Sequence, residues 1–114
     1  MIIGALIGAG PMSSSPLALS VDPISFSEVV TTNTGTTSGV ATAVISGGVA
    51  PYTVFWQRTS GVGISAASAH STSTAFTWTA ISVGASRAIE FTATVTDAVL
   101  NTADFIFVAS IERI

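Results

Sequence analysis

The chain contains no cysteine and no lysine. The first absence excludes disulfides, thiolate metal sites and a cysteine nucleophile. It is also compatible with a reducing compartment. The second leaves Arg58, Arg87 and Arg113 as the strong cations in a chain of formal net charge −3. Such a chain has no basic face to neutralise phosphates, so neither nucleic acid nor an anionic membrane surface is expected as a partner. Charge of either sign is scarce, at 8% of residues, against roughly 25% in a typical soluble domain.

Apolar and small polar residues take its place. Hydrophobic residues make up 48% of the 114, and mean hydropathy is +0.71. Most of the remainder is Ser, Thr, Ala and Gly. A lone soluble monomer usually keeps a more charged surface, so much of this surface is expected to be covered by partners. The competing reading is a secreted Ser/Thr-rich β domain, hydrated through its hydroxyls. The length suits one domain with one core.

The first ten residues, Met1-Ile-Ile-Gly-Ala-Leu-Ile-Gly-Ala-Gly10, are uncharged and apolar, and Pro11 ends the run. A membrane-spanning helix needs about 20 apolar residues. A secretory signal needs a basic opening, and none precedes Pro11. The run therefore reads as an arm. Exposing Ile2, Ile3, Leu6 and Ile7 together forgoes roughly 6–12 kcal/mol of burial. An extended ten-residue arm reaches on the order of 30 Å, far enough to dock on a neighbouring subunit. Folding back as an extra edge strand of its own body is the alternative. Residues 12–16, Met-Ser-Ser-Ser-Pro, link arm to body, dividing the chain into an arm and linker over residues 1–16 and a body over residues 17–114.

From Leu17 onward the hydrophobic period is two, with turn residues at short intervals, the pattern of an all-β sandwich or barrel. Leu17, Leu19 and Val21 alternate with Ala18, Ser20 and Asp22. Pro23 interrupts this strand, which predicts an edge strand with a kink. Ile24, Phe26 and Glu28 carry it on to Val30. Residues 31–39 read as a loop, residues 40–45 as a strand, and residues 60–73 as an irregular stretch hiding at most one weak strand. Tyr52, Val54 and Trp56 share one face, opposite Thr53, Phe55 and Gln57. Phe76 pairs with Trp78. Ile89, Phe91, Ala93 and Val95 alternate with Glu90, Thr92, Thr94 and Thr96, and residues 97–102 turn the chain into a last strand. There Phe105, Phe107, Ala109 and Ile111 oppose Ile106, Val108 and Ser110. About seven strands are expected. The expected core is Tyr52, Val54, Trp56, Phe76, Trp78, Phe91, Val95, Phe105 and Phe107.

Two segments resemble a known family. Ser46-Gly-Gly-Val-Ala-Pro-Tyr-Thr-Val-Phe-Trp56 is similar to the GG.PPYTYSW segment of bacterial immunoglobulin-like and polycystic-kidney-disease-like repeats. Phe91-Thr-Ala-Thr-Val-Thr-Asp97, followed by Asn101-Thr102 and an apolar strand, resembles their terminal VTVTDxxGxT hairpin. The resemblance implies a single immunoglobulin-like Greek-key β-sandwich with Trp56 at its core. Leu100-Asn101 stands where the repeats usually carry Gly, and their aspartate-rich opening is absent. Such repeats occur in adhesins, enzyme accessory modules and phage structural proteins, so the fold alone assigns no function.

No residue pattern points to catalysis. His70 lies in a Ser/Ala/Thr run and reads as an exposed loop residue, with no Ser-His-acid constellation around it. Asp97, Asn101 and Asp104 offer three oxygen-bearing side chains, fewer than the six to eight oxygens of a Ca²⁺ site, and read as turn residues. Glu28, Glu90 and Glu112 are isolated. Gly4, Gly8 and Gly10 are not followed by a Lys, so no phosphate loop is formed. Neither a cofactor nor a metal is expected.

The informative anomaly is apolar side chains out of phase with the core: Phe55, Ile106 and Val108. Together with Ile2, Ile3, Leu6 and Ile7 they form the expected interface. The sequence thus leads to a non-enzymatic structural protein of a tailed-bacteriophage virion, in the tail, tail tip or capsid decoration. It would assemble in the host cytoplasm with copies of itself and other virion proteins, without a membrane span. A secreted adhesion or carbohydrate-binding module at the cell surface is the alternative; a host-surface glycan partner has no residue pattern behind it.

Overall fold

The computed structural model describes residues 15–114. The expected arm, residues 1–10, and most of its linker lie outside them. The described residues are all-β, with ten strand segments and no helix. They are β1 (Ala18–Asp22), β2 (Phe26–Val30), β3 (Gly35–Thr36), β4 (Ala41–Ser46), β5 (Thr53–Ser60), β6 (Ile64–Ala66), β7 (Ser73–Thr74), β8 (Phe76–Trp78), β9 (Ser86–Thr96) and β10 (Thr102–Arg113). Val, Ile, Thr and aromatic residues at alternate positions fit a pleated surface with one buried face, which is why these stretches form strands.

The largest sheet has the order β2-β10-β9-β5. Two smaller sheets, β1-β4-β7 and β3-β8-β6, complete the molecule. β9 and β10 form a long antiparallel hairpin in which Phe91 faces Phe107. β5 runs antiparallel on the far side of β9, with Val54 opposite Val95 and Trp56 opposite Ala93. β2 pairs in parallel with the last part of β10, from Phe26 opposite Ala109 to Val30 opposite Arg113.

The expected kink at Pro23 is a change of sheet. β1 pairs with β4, and three residues later β2 pairs with β10. Pro23 has no N–H to give to a ladder, so the first ladder stops at Asp22 and the chain is free to cross. The expected loop at residues 31–39 contains β3, two residues paired with Trp78 and Thr77. The irregular stretch at residues 60–73 does hold one short strand, β6, whose Ile64 is fully buried. Ten segments stand against about seven expected because the stretch from Leu17 to Val30 is broken at Pro23, and because two-residue strands, β3 and β7, lie within the expected loop and just ahead of the Phe76–Trp78 strand.

The core lies between the largest sheet and the smaller ones. Phe76, from β8, is fully buried. It stacks on Phe107 at 5.5 Å and 15°, tilts against Phe91 at 5.1 Å, and meets Phe26 at 5.9 Å. Trp56 stands edge-on to Phe107 at 6.2 Å. Its indole N–H donates to the Ser71 carbonyl at 2.7 Å, so the buried ring leaves no polar atom unpaired. Val54, Trp78, Phe91 and Val95 are buried as expected, but Tyr52 and Phe105 are only partly buried. Tyr52 keeps its hydroxyl at the rim, donating to the Gly47 carbonyl at 2.7 Å. Ile81, missed in the sequence because it lies in a connection, is fully buried.

All three arginines bond main-chain carbonyls. Arg87 donates to Thr79 at 2.9 Å and Ala80 at 3.0 Å, Arg113 to Ile81 at 2.9 Å, and Arg58 to Ile64 at 3.1 Å. Two guanidinium groups thus hold three successive carbonyls of the connection that buries Ile81. A planar fork of donors suits this task and a lysine ammonium does not.

Candidate functional site

The outward face of the largest sheet carries the out-of-phase residues, and strand alternation puts them there. Inward Phe105, Phe107, Ala109 and Ile111 force Ile106 and Val108 outward on β10, where they are 62% and 38% exposed. Inward Val54 and Trp56 force Phe55 outward on β5, where it is 40% exposed. The sequence therefore placed all three on the solvent side of the sheet.

The structure does not bring the three together. Ile106 faces Thr92 of β9 and Val108 faces Glu90, whereas Phe55 faces Thr94. A row of outward threonines on β9 separates them, and two strand spacings, roughly 10 Å, lie between β5 and β10. Ile106 and Val108 form one short ridge. Phe55 belongs to a different feature: its ring stacks on His70 at 4.9 Å and 14°. His70 is exposed, as expected, on the turn that lies along β5, where Trp56 N–H donates to the Ala69 carbonyl at 2.8 Å. The stack was not anticipated, because residues 15 apart in a loop and a strand show no shared periodicity.

A third apolar group was missed. Val99 and Leu100 form the tip of the β9–β10 hairpin and are largely exposed, with Val49 beside them. Ala98 N–H donates to the Val49 carbonyl at 2.8 Å, tying the two loops. The signal was present in the sequence: two large apolar residues stand in a turn that normally favours Gly or Asn. Leu100 adopts φ 68° there, a left-handed conformation disfavoured for a side chain of its kind.

Asp97 fixes this end of the molecule. Its carboxylate accepts from the N–H groups of Val49 (3.2 Å), Val99 (3.0 Å) and Asn101 (2.9 Å), and from the Asn101 side-chain amide (3.2 Å). Burial pushes its carboxyl up, but the bonds from Asn101, Val49 and Val99 outweigh this and hold it below the usual value of 3.8. This is the turn chemistry read from the sequence, with the difference that Asn101 bonds Asp97 through its side chain. Asp104 sits apart and accepts from the Thr94 hydroxyl at 2.8 Å. Among the described residues, no three His, Cys, Asp or Glu side chains converge on a common point.

Ile2, Ile3, Leu6 and Ile7 lie outside the described residues. No family model, curated protein or solved structure matches the chain.

Proposed function

We propose that this protein is a non-enzymatic structural subunit of a tailed-bacteriophage virion, a tail, tail-tip or capsid-decoration component, working through subunit packing. The observation that carries the reading is the apolar solvent side of the described fold. Ile106 and Val108 on the sheet, and Val49, Val99 and Leu100 at the hairpin tip, are all exposed in a chain with 8% charged residues. Scattered exposed apolar residues are ordinary. Grouped ones on a nearly uncharged chain are the pattern of a surface that meets other subunits. The strand order supports an immunoglobulin-like Greek key as the scaffold: the first strand splits between two sheets and its second half runs parallel to the last strand. In this reading the partners are copies of the chain and other virion proteins.

One observation favours the alternative, a secreted adhesion or carbohydrate-binding module. The Phe55–His70 stack is a flat, exposed ring pair, and sugar rings pack on such faces. Sedimentation velocity on the purified full chain separates the two readings. The packing reading expects closed oligomers of defined size. A monomer at every concentration, together with glycan retention lost in Phe55→Ala, would favour the alternative.

A further inference from the structure

The turn over residues 67–72, Ala-Ser-Ala-His-Ser-Thr, is short of large side chains yet firmly held. Trp56 of β5 donates to it twice, from its main-chain N–H to the Ala69 carbonyl at 2.8 Å and from its indole N–H to the Ser71 carbonyl at 2.7 Å. On the other side, Ala43 N–H of β4 donates to the Thr72 carbonyl at 2.7 Å. Within the turn, Ser71 N–H donates to the Ser68 carbonyl at 3.1 Å, and Ser68 N–H to the Thr74 hydroxyl at 2.9 Å. The one large side chain this backbone presents is His70, laid on Phe55 at 4.9 Å and 14°. Both rings are exposed, and the stack lies outside the core. A rigid, nearly parallel ring pair at the surface is a preorganised platform, with little ordering cost left for a ligand to meet.

Parity and register set the polar groups around it. Gln57 follows Phe55 on the same face of β5, about 7 Å along the strand. Thr94 of β9 stands opposite Phe55, and Asp104 of β10 opposite Thr94, about 5 and 10 Å away at one and two strand spacings. The Thr94 hydroxyl donates to Asp104 Oδ1 at 2.8 Å. Among the described residues, Asp104 Oδ2 and the Gln57 amide have no hydrogen-bond partner, and both residues are exposed. A carboxylate oxygen accepts, and an amide both donates and accepts. Together with an aromatic face they suit a molecule that is apolar on one side and hydroxylated round its rim. A pyranose ring is built that way, with C–H groups on one face and hydroxyls at its edge.

Charge narrows the class. On the outward side of β9 and β10 the charged side chains are Glu90, Asp104 and Glu112, all carboxylates. Arg58, beside Gln57, turns its guanidinium to the Ile64 carbonyl at 3.1 Å. A sugar carrying carboxylate, sulfate or phosphate would meet like charge on this face. A neutral sugar meets acceptors for its hydroxyls.

We propose that the Phe55–His70 pair, with Gln57, Thr94 and Asp104, is a binding site for neutral hexopyranose units of a glycan. The proposal gives the glycan-binding reading a defined site and a sugar class. It also holds for a packed subunit, because the ring pair stands two strand spacings from the Ile106–Val108 ridge. Affinity electrophoresis of the full chain tests it, since a chain of net charge −3 enters a native gel and slows where a polymer in the gel binds it. The polymers are a neutral β-glucan, a mannan and a galactan, with polygalacturonate as the acidic counterpart. The expected result is retardation by at least one neutral polymer and none by polygalacturonate. Phe55→Ala, a change on the outer face, should weaken binding about tenfold or more. His70→Ala should weaken it too, and His70→Phe, which keeps a ring on the stack, should retain it. Val44→Ala, exposed on β4 of another sheet, should match the parent. Retardation by none of the neutral polymers overturns the proposal. So does polygalacturonate binding as strong as that of the best neutral polymer, or a Phe55→Ala chain slowed as much as the parent. Light scattering separates a sugar site from a subunit contact: lost retardation at unchanged mass supports the site, whereas a smaller mass for Phe55→Ala assigns the ring to subunit packing and overturns it.

Discussion

Phe76 is the side chain through which the smaller sheets grip the largest one, and its removal measures how far the two layers depend on one contact. It is fully buried, with Phe26, Phe91 and Phe107 as ring neighbours within 5.9 Å. A buried Phe→Ala change costs about 3–5 kcal/mol, and each aromatic pair adds roughly 0.5–1.5 kcal/mol beyond area burial. With three pairs lost, Phe76→Ala belongs at the upper end, about 4–5 kcal/mol. A domain of this size has a total stability of about 5–15 kcal/mol, so roughly a quarter or more is at stake. In thermal terms, about 4–8 °C is lost per kcal/mol in a domain of about 100 residues. Phe55→Ala is the matched comparison. The same atoms leave the outer face, where Phe55 is 40% exposed, and the cost should stay below about 1 kcal/mol. Urea unfolding followed by tryptophan fluorescence, from the buried Trp56 and Trp78, reports both. Similar losses for the two variants, within about 1 kcal/mol, would refute the assignment of Phe76 as the contact between layers.

Two further outcomes follow from the hairpin end. Leu100→Gly should stabilise the fold by about 0.5–1 kcal/mol, because the left-handed conformation at φ 68° costs a side chain roughly 1–2 kcal/mol, which exceeds the extra chain entropy of Gly; an unchanged or lower urea midpoint would contradict this. Asp97 has a folded pKa below its ordinary 3.8. The stability it contributes is therefore fully present above that value and lost as pH falls through the folded one, so Asp97→Asn should be less stable near neutrality and show a flatter loss of urea midpoint below about pH 4 than the parent chain.

The strands were legible in the sequence where one face was buried and the other was not. Along β9 and β10 every inward residue, from Ile89 to Val95 and from Phe107 to Ile111, fell where period-two alternation puts it. What escaped was set by contacts between distant segments. Ile64 and Ile81 belong to the core, yet one sits in a three-residue strand and the other in a connection held by Arg87 and Arg113, too short or too irregular for any period to show. The sheet change at Pro23 was legible only as an interruption, because a missing N–H ends a ladder without saying where the chain goes next. Of the site, the outward placement of Phe55, Ile106 and Val108 came from parity alone. Their separation depends on strand order, with β9 lying between β5 and β10, and strand order is not written in alternation.

The central claim, that this chain works by packing against copies of itself and other subunits, is tested most directly by comparing the solution mass of the full chain with that of a chain lacking residues 1–10, by light scattering over a wide concentration range. The account predicts a defined oligomer for the full chain and a folded monomer for the shortened one, with the β-sheet circular dichroism and tryptophan fluorescence of the parent. A full chain that is monomeric at every concentration would contradict the account.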